Sequence, residues 1–189
     1  MMEKEKEVKL ITVEPAKDSH RWVAITALLL AIGVILHTIT PNVGGVTPNW
    51  TIAMYSIAIG ITRPKFTQAL GIGLIAGMTI VPSSKSAFPL GNLASETSGA
   101  CIAYLVTEAM YAVKLGNFKL KPFITGFLAT MASGGVFTLI LKIVLNLPWH
   151  VWIYAMLPVV AIVGLLNGVI TQVLYPAVKK LFFVQKERK

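Results

Sequence analysis

Four polar residues in an otherwise apolar chain could recognise a small charged molecule: Lys85, Glu96, Asn92 and Asn49. Lys85 and Glu96 are eleven positions apart and opposite in sign. Together they could hold the carboxylate and the ammonium of a zwitterion; a loop salt bridge, or two solvated charges, is the plain alternative. Asn92 and Asn49 offer planar donor–acceptor amides that orient a polar ligand, although Asn is also a common turn former. Aromatic residues crowd the same side of the chain: Trp50, Phe88, Trp149, Trp152 and Tyr154. They would suit a flat apolar ligand or, taken singly, an interfacial aromatic belt, which is also the reading for Trp22. His37 falls near this side too. His20, His37 and His150 have no metal-ligand spacing, and the single Cys101 has no partners for a metal site or an internal disulfide.

Two further polar groups sit inside apolar runs. Glu108 lies toward the other end of the fourth run, where an isolated charge costs roughly 2.5–3.5 kcal/mol on insertion scales. It must snorkel, stay protonated or meet a cation from another helix, and a proton-coupling role is conceivable. Asn167, in the last run, is a candidate for a helix–helix hydrogen bond.

No catalytic constellation accompanies these residues. The chain has no G-x-x-x-x-G-K-[ST], H-E-x-x-H or G-x-S-x-G motif. It has no arginine ladder and no filter-like T-V-G-Y-G segment. An enzyme is not expected, nor any cofactor; the chain should transport a small molecule or help a partner do so.

The elements that must position these groups follow from composition. Of the 189 residues, 55% are hydrophobic and 13% charged, against about 25% charged in a soluble domain. Mean hydropathy is +0.71. Ten of the 25 charges fall in residues 1–21 and six in 179–189, leaving nine for the body. An apolar body with two polar ends describes a polytopic membrane protein. The net charge of +9 shows no basic stripe interleaved with aromatics, so nucleic acid is not an expected partner.

A bilayer core needs roughly 20 apolar residues per helix. Six runs qualify, at about 22–40, 48–62, 66–82, 95–114, 122–145 and 151–178. Thr40-Pro41 with Gly44-Gly45, Arg63-Pro64-Lys65, the stretch Pro82 to Asn92, Gly116-Asn117 and Asn146-Leu147-Pro148 break them. Thr47-Pro48 reads as a helix start, and the stretch from Pro82 to Asn92 reads as a loop able to reach over the bundle. Residues 22–40 follow a polar leader with no evident cleavage site, so they are expected to remain as the first span. With both termini cytoplasmic and the spans alternating, fifteen Lys/Arg fall inside and two, Lys85 and Lys142, outside. The expected architecture is therefore an all-α membrane protein, a six-transmembrane-helix bundle, N-in and C-in. Residues 1–21 form a cytoplasmic extension, 22–178 the membrane substrate-binding domain and 179–189 a basic cytoplasmic tail. Three pairs of small residues stand four apart, Ala27/Ala31, Gly73/Gly77 and Gly164/Gly168. Such pairs let helices approach closely, and internal packing is the first expectation for each.

The Ala27-xxx-Ala31 strip running into Ile32-Gly33 and His37, then Pro41, Gly44-Gly45, Pro48, Ala87-Phe88-Pro89 with Gly91-Asn92, Leu147-Pro148 and Tyr175-Pro176 form a recognisable set. In these residues the body resembles a substrate-binding S component of an energy-coupling factor transporter, and more narrowly the bacterial tryptophan transport protein family. The resemblance implies capture of tryptophan or a related aromatic compound from outside the cell membrane; a vitamin or other heterocycle as substrate, or a stand-alone proton-coupled carrier, are the competing readings. It also implies partners: a transmembrane coupling protein, docked on Ala27 and Ala31, and two cytoplasmic ATPases. The chain departs at Asn49, where an acidic residue is expected after Pro48; Glu96 is the carboxylate that could stand in for it.

Overall fold

A computed structural model describes residues 20–41, 48–113 and 119–182. Most of the N-terminal extension, the end of the basic tail, Gly44-Gly45, Thr47 and Gly116-Asn117 lie outside the described residues. Among those described, the structure is all helical. It comprises α1 (Arg21–Ile39), α2 (Trp50–Thr62), α3 (Phe66–Ile80), α4 (Gly91–Ala112), α5 (Lys121–Val144) and α6 (Trp149–Phe182). A 3₁₀ turn, Val81–Ser83, follows α3, and residues Trp152–Met156 of α6 are wound as a π-helix.

Each break has a local cause. After α2 the chain enters the left-handed region at Arg63 (φ 46°) and meets Pro64, which cannot continue a helix. After α5, Asn146 adopts φ 50° before Pro148; Asn tolerates this conformation because its short amide bonds locally. Pro122 opens α5 in the first turn, where its missing N–H costs nothing.

The six helices alternate in direction. Arg21 at the start of α1 donates to the Phe182 carbonyl at the end of α6, so both ends of the described chain meet. Arg63, Lys119, Lys121, Lys179 and Glu108 gather at the same basic end. His37, Asn49, Lys85 and Asn92 gather at the opposite end.

Four helices, α1, α3 with its 3₁₀ turn, α5 and α6, are long and apolar enough to cross a membrane. The other two differ for physical reasons. Helix α2 has only 13 residues, about 20 Å at 1.5 Å per residue. Every residue from Thr51 to Gly60 is buried, so α2 is shielded by its neighbours rather than bathed in lipid. Helix α4 has 22 residues but carries Asn92, Ser95, Glu96, Thr97, Ser98, Thr107 and Glu108. It starts at Gly91, so the expected long loop from Pro82 to Asn92 is shorter, and Asn92 belongs to a helix.

Glycine lets α4 come close. A Cβ at Gly73 would lie 2.6 Å from Thr97 Cα, and one at Gly77 2.6 Å from the Asn92 carbonyl oxygen. The Gly73/Gly77 strip thus seats α3 on the backbone of α4. Gly164 and Gly168 accept the rings of Phe127 and Phe123 from α5. Ala27 and Ala31 are different: both are exposed, on a face of α1 shared with Leu28, Ile32 and Ile35. Internal packing, expected for all three strips, holds for the two glycine pairs only. Asn167 is fully buried and donates from Nδ2 to Thr130 Oγ1 at 3.0 Å, tying α6 to α5.

Candidate functional site

A cavity of about 530 Å³ opens at the end of the bundle opposite the basic cluster, within the roughly 300–1,000 Å³ of small-molecule sites. All six helices contribute. His37 comes from α1, Asn49 and Ile52 from the head of α2, and Ile80 from the end of α3. Ser84, Lys85 and Ser86 come from the following loop, and Asn92, Ser95 and Glu96 from α4. The far wall is Thr130, Ser133, Gly134, Phe137 and Thr138 of α5, with Ala155, Met156, Val159, Val160 and Val163 of α6. The cavity is therefore polar on the α1–α4 side and largely apolar on the α5–α6 side.

Glu96 sits on the polar side. It is 1% exposed, and its Oε1 accepts a hydrogen bond of 2.8 Å from Asn49 Nδ2. Its other oxygen, Oε2, has no hydrogen-bond partner among the described residues, and neither do Asn49 Oδ1 and His37 Nδ1. All three are lone-pair-bearing atoms on residues that line one cavity. A buried carboxylate with only neutral partners costs several kcal/mol, and a cationic donor delivered by a ligand would offset that cost. Behind Glu96, the Tyr55 hydroxyl lies where a side chain at position 99 would project, against Ser133; only glycine fits there.

Lys85 is exposed at the mouth. Its loop is held by short-range bonds. Asn92 Nδ2 donates to Ser84 Oγ (3.2 Å) and to the Pro89 carbonyl (2.8 Å), and the Phe88 amide donates to Ser86 Oγ (3.2 Å). Lys85 and Glu96 form no ion pair in this arrangement: Glu96 is on α4 and enclosed, whereas Lys85 is on the loop and open. One cavity thus carries an exposed cation, with no ion-pair partner among the described residues, and a buried carboxylate.

The structure brings together Lys85, Glu96, Asn92, Asn49 and His37. It leaves Trp50, Phe88 and Trp149 outside the described lining. Trp50 packs on the core beside Met54 and Ile57, and its Nε1 donates to Thr40 Oγ1 at 2.9 Å. Phe88 lies half-buried beside Gly91. Trp149 is 58% exposed, edge-on to Trp152 at 5.8 Å, with Lys142 Nζ 4.0 Å over its ring. The aromatic ring in the wall is instead Phe137 of α5. Sequence reading missed it, along with Thr130, Ser133 and the valines of α6. These residues are ordinary in an apolar helix, and nothing in their local spacing marks which face they occupy.

Glu108 meets a cation on another element. Arg63 Nε donates to Oε1 at 3.0 Å and Nη2 to Oε2 at 2.8 Å. The Arg63 guanidinium also lies 3.9 Å above the Tyr111 ring.

A family model described as tryptophan transporter TrpP matches residues 19–183. Among curated proteins, the chain is 33% identical to the probable tryptophan transport protein of Clostridium perfringens over 175 residues, covering 87% of this chain and 94% of that one. It is 30% identical to the probable tryptophan transport protein of Clostridium acetobutylicum over 166 residues, 82% of this chain and 90% of the relative. For the protein of the same description from Bacillus subtilis the identity is 27% over 160 residues, covering 83% and 90%. No solved structure matches the chain.

Proposed function

Because the chain belongs to the tryptophan transporter TrpP family, and is therefore a multi-pass bacterial membrane transport protein rather than an enzyme, we propose that the cavity beside Glu96 captures tryptophan for uptake. The observation that carries this reading is the buried, half-satisfied carboxylate of Glu96 in a cavity whose mouth holds Lys85. In the bound state the substrate ammonium bonds Glu96 Oε2 and Asn49 Oδ1, and its carboxylate turns to Lys85. The indole lies against Phe137, Met156 and Val160, where apolar burial stabilises a flat ring at about 25 cal/mol per Å². His37 Nδ1 accepts from a donor on the ligand. Trp50, Phe88 and Trp149 support the loops and rim instead of touching substrate.

The bundle is read as six spans with both termini cytoplasmic, because the basic end gathers Arg63, Lys119, Lys121 and Lys179 while the cavity end holds Lys85 and Lys142. The cavity then faces outward. The protein acts as an S component: the exposed Ala27/Ala31 face of α1 docks on a transmembrane coupling protein, and two cytoplasmic ATPases supply the energy. The absence of a P-loop from the sequence and the unpartnered face of α1 support this assignment, and the engagement of Glu108 by Arg63 speaks against a proton-coupled carrier. Ala27→Trp or Ala31→Trp should abolish co-purification with the coupling protein and leave substrate binding intact.

The direct test is calorimetric titration of the purified full chain with tryptophan, tryptamine and indole-3-propionate. Tryptophan should bind, and each analogue, lacking one of the two charges, should bind at least tenfold more weakly. Equal affinity for all three, or no tryptophan binding at millimolar concentration, would overturn the assignment.

A further inference from the structure

A second cavity, of about 660 Å³, lies at the basic end of the bundle between α2, α4, α5 and α6. Three lysines line it: Lys119 just before α5, Lys121 at its start and Lys179 near the end of α6. None has an ion-pair partner among the described residues. The acidic residues among those described are Glu96 and Glu108. Glu96 is at the other end, and both oxygens of Glu108 are taken by Arg63. The cavity therefore concentrates positive charge with no protein counter-charge among the described residues.

Two further features aim at the same space. Ser56, in the middle of α2, is 1% exposed, lines the cavity, and its Oγ has no hydrogen-bond partner among the described residues. Such a hydroxyl is costly to bury unsatisfied. Helix α5 begins at the cavity with Lys121 and Thr125 on its wall, so the positive end of its dipole adds to the field. The Tyr111 ring, 5.2 Å from Lys121 Nζ, holds that ammonium beside the cavity. Several cations and a hydroxyl that line one cavity from different elements match an anion with three or more acceptor oxygens better than a carboxylate with two.

We propose that this second cavity binds a phosphate-bearing anion, carried either by an anionic lipid headgroup or by soluble inorganic phosphate, through Lys119, Lys121, Lys179 and the Ser56 hydroxyl. The inference is independent of the substrate assignment, because no residue of the tryptophan cavity takes part. Basic recesses between membrane helices at a basic end suit such headgroups.

The test compares thermal unfolding of the full chain in phosphatidylcholine vesicles, in phosphatidylcholine–phosphatidylglycerol vesicles, and in phosphatidylcholine vesicles with inorganic phosphate. Phosphatidylglycerol or phosphate should raise the melting temperature with a saturable dose dependence, and whichever acts identifies the source of the anion. Each of Lys119→Gln, Lys121→Gln and Lys179→Gln should weaken the effect about fivefold in half-saturating concentration, and the triple variant should lose it. Lys180→Gln, a basic residue at the same end but outside the cavity wall, should retain it. No shift with either anion, a shift that survives in the triple variant, or an equal loss in Lys180→Gln would overturn the proposal. The triple variant's own fold is checked by its far-UV circular dichroism and its cooperative melt in phosphatidylcholine vesicles without added anion, both of which should match the parent's.

Discussion

Helix α4 carries two carboxylates twelve residues apart, about 18 Å along its axis, in opposite settings. Glu108 is half-buried and meets Arg63 through two hydrogen bonds. Glu96 is enclosed, with an amide hydrogen bond to one oxygen, no hydrogen bond to the other among the described residues, and the neutral side chains of Tyr55 and Ser133 close by. The difference comes from packing. Gly73, Gly77 and Gly99 let α3 and Tyr55 of α2 close on the first half of α4, whereas its second half reaches the basic end, where Arg63 leaves α2 in a left-handed turn. A carboxylate that brings its own cation is satisfied without ligand. One that is buried beside neutral groups is stabilised most by what binds it.

The sharpest way to break this contrast is Glu96→Gln. Glutamine keeps the size and an oxygen for Asn49, but removes the charge. Truncating one member of a desolvated charge pair costs about 2–5 kcal/mol, so tryptophan affinity should fall about thirtyfold or more by calorimetry. The unliganded protein should unfold at the same temperature or higher, because an uncompensated buried charge has gone. A parallel loss of affinity and of unliganded stability would make Glu96 a structural residue.

A smaller effect tests the packing that encloses Glu96. In Gly77→Ala the new methyl would stand 2.6 Å from the Asn92 carbonyl oxygen and 2.9 Å from Leu93 Cα. Those are backbone atoms and cannot swing aside. Overpacking of this kind costs about 1–3 kcal/mol, and the shift of the first turns of α4 should also weaken tryptophan binding. Gly71→Ala is the matched control, since nothing lies within 4 Å of its Cβ position; it should be neutral or slightly stabilising by helix propensity. Thermal melts of both variants decide the matter, and equal destabilisation would refute the packing account.

The same contrast explains what could be read without coordinates. The six helices were legible because Pro41, Pro64, Pro82, Pro122 and Pro148 stand at or beside the interruptions between apolar runs. Lys85, Glu96, Asn49, Asn92 and His37 were legible as a group because charged and amide residues are rare in the apolar body and these five fall near the same ends of its runs. The apolar wall was not. Hydropathy reports that Phe137, Val160 and Met156 prefer to leave water, but not whether they face lipid, a neighbour or a ligand. For the same reason spacing singled out the tryptophans and passed over Phe137, the aromatic ring in the cavity wall: Trp149 is amphipathic and rests at an exposed rim, where a ring with a polar edge is stable. The partner of Glu108 was equally invisible, because Arg63 is 45 positions away and only the parallel packing of α4 beside α2, with α3 as the return between them, brings them together.

The smallest expected effect, Glu108→Gln, tests the other half of the comparison. Both side chains of this pair are partly exposed, 44% for Arg63 and 35% for Glu108, so solvent and salt screen it. The variant should bind tryptophan within about twofold of the parent, since an exposed pair some 18 Å from the cavity floor transmits little. It should melt slightly lower at low ionic strength and indistinguishably at high salt. Uptake into vesicles driven by a pH gradient alone, present in the parent and lost in this variant, would invert the comparison: Glu108 would then be the working carboxylate of α4 and its bond to Arg63 a switch. Retained affinity with a salt-erased stability difference leaves Glu108 as an anchor between α2 and α4, and leaves the proposed substrate contact to the other carboxylate of the helix, Glu96.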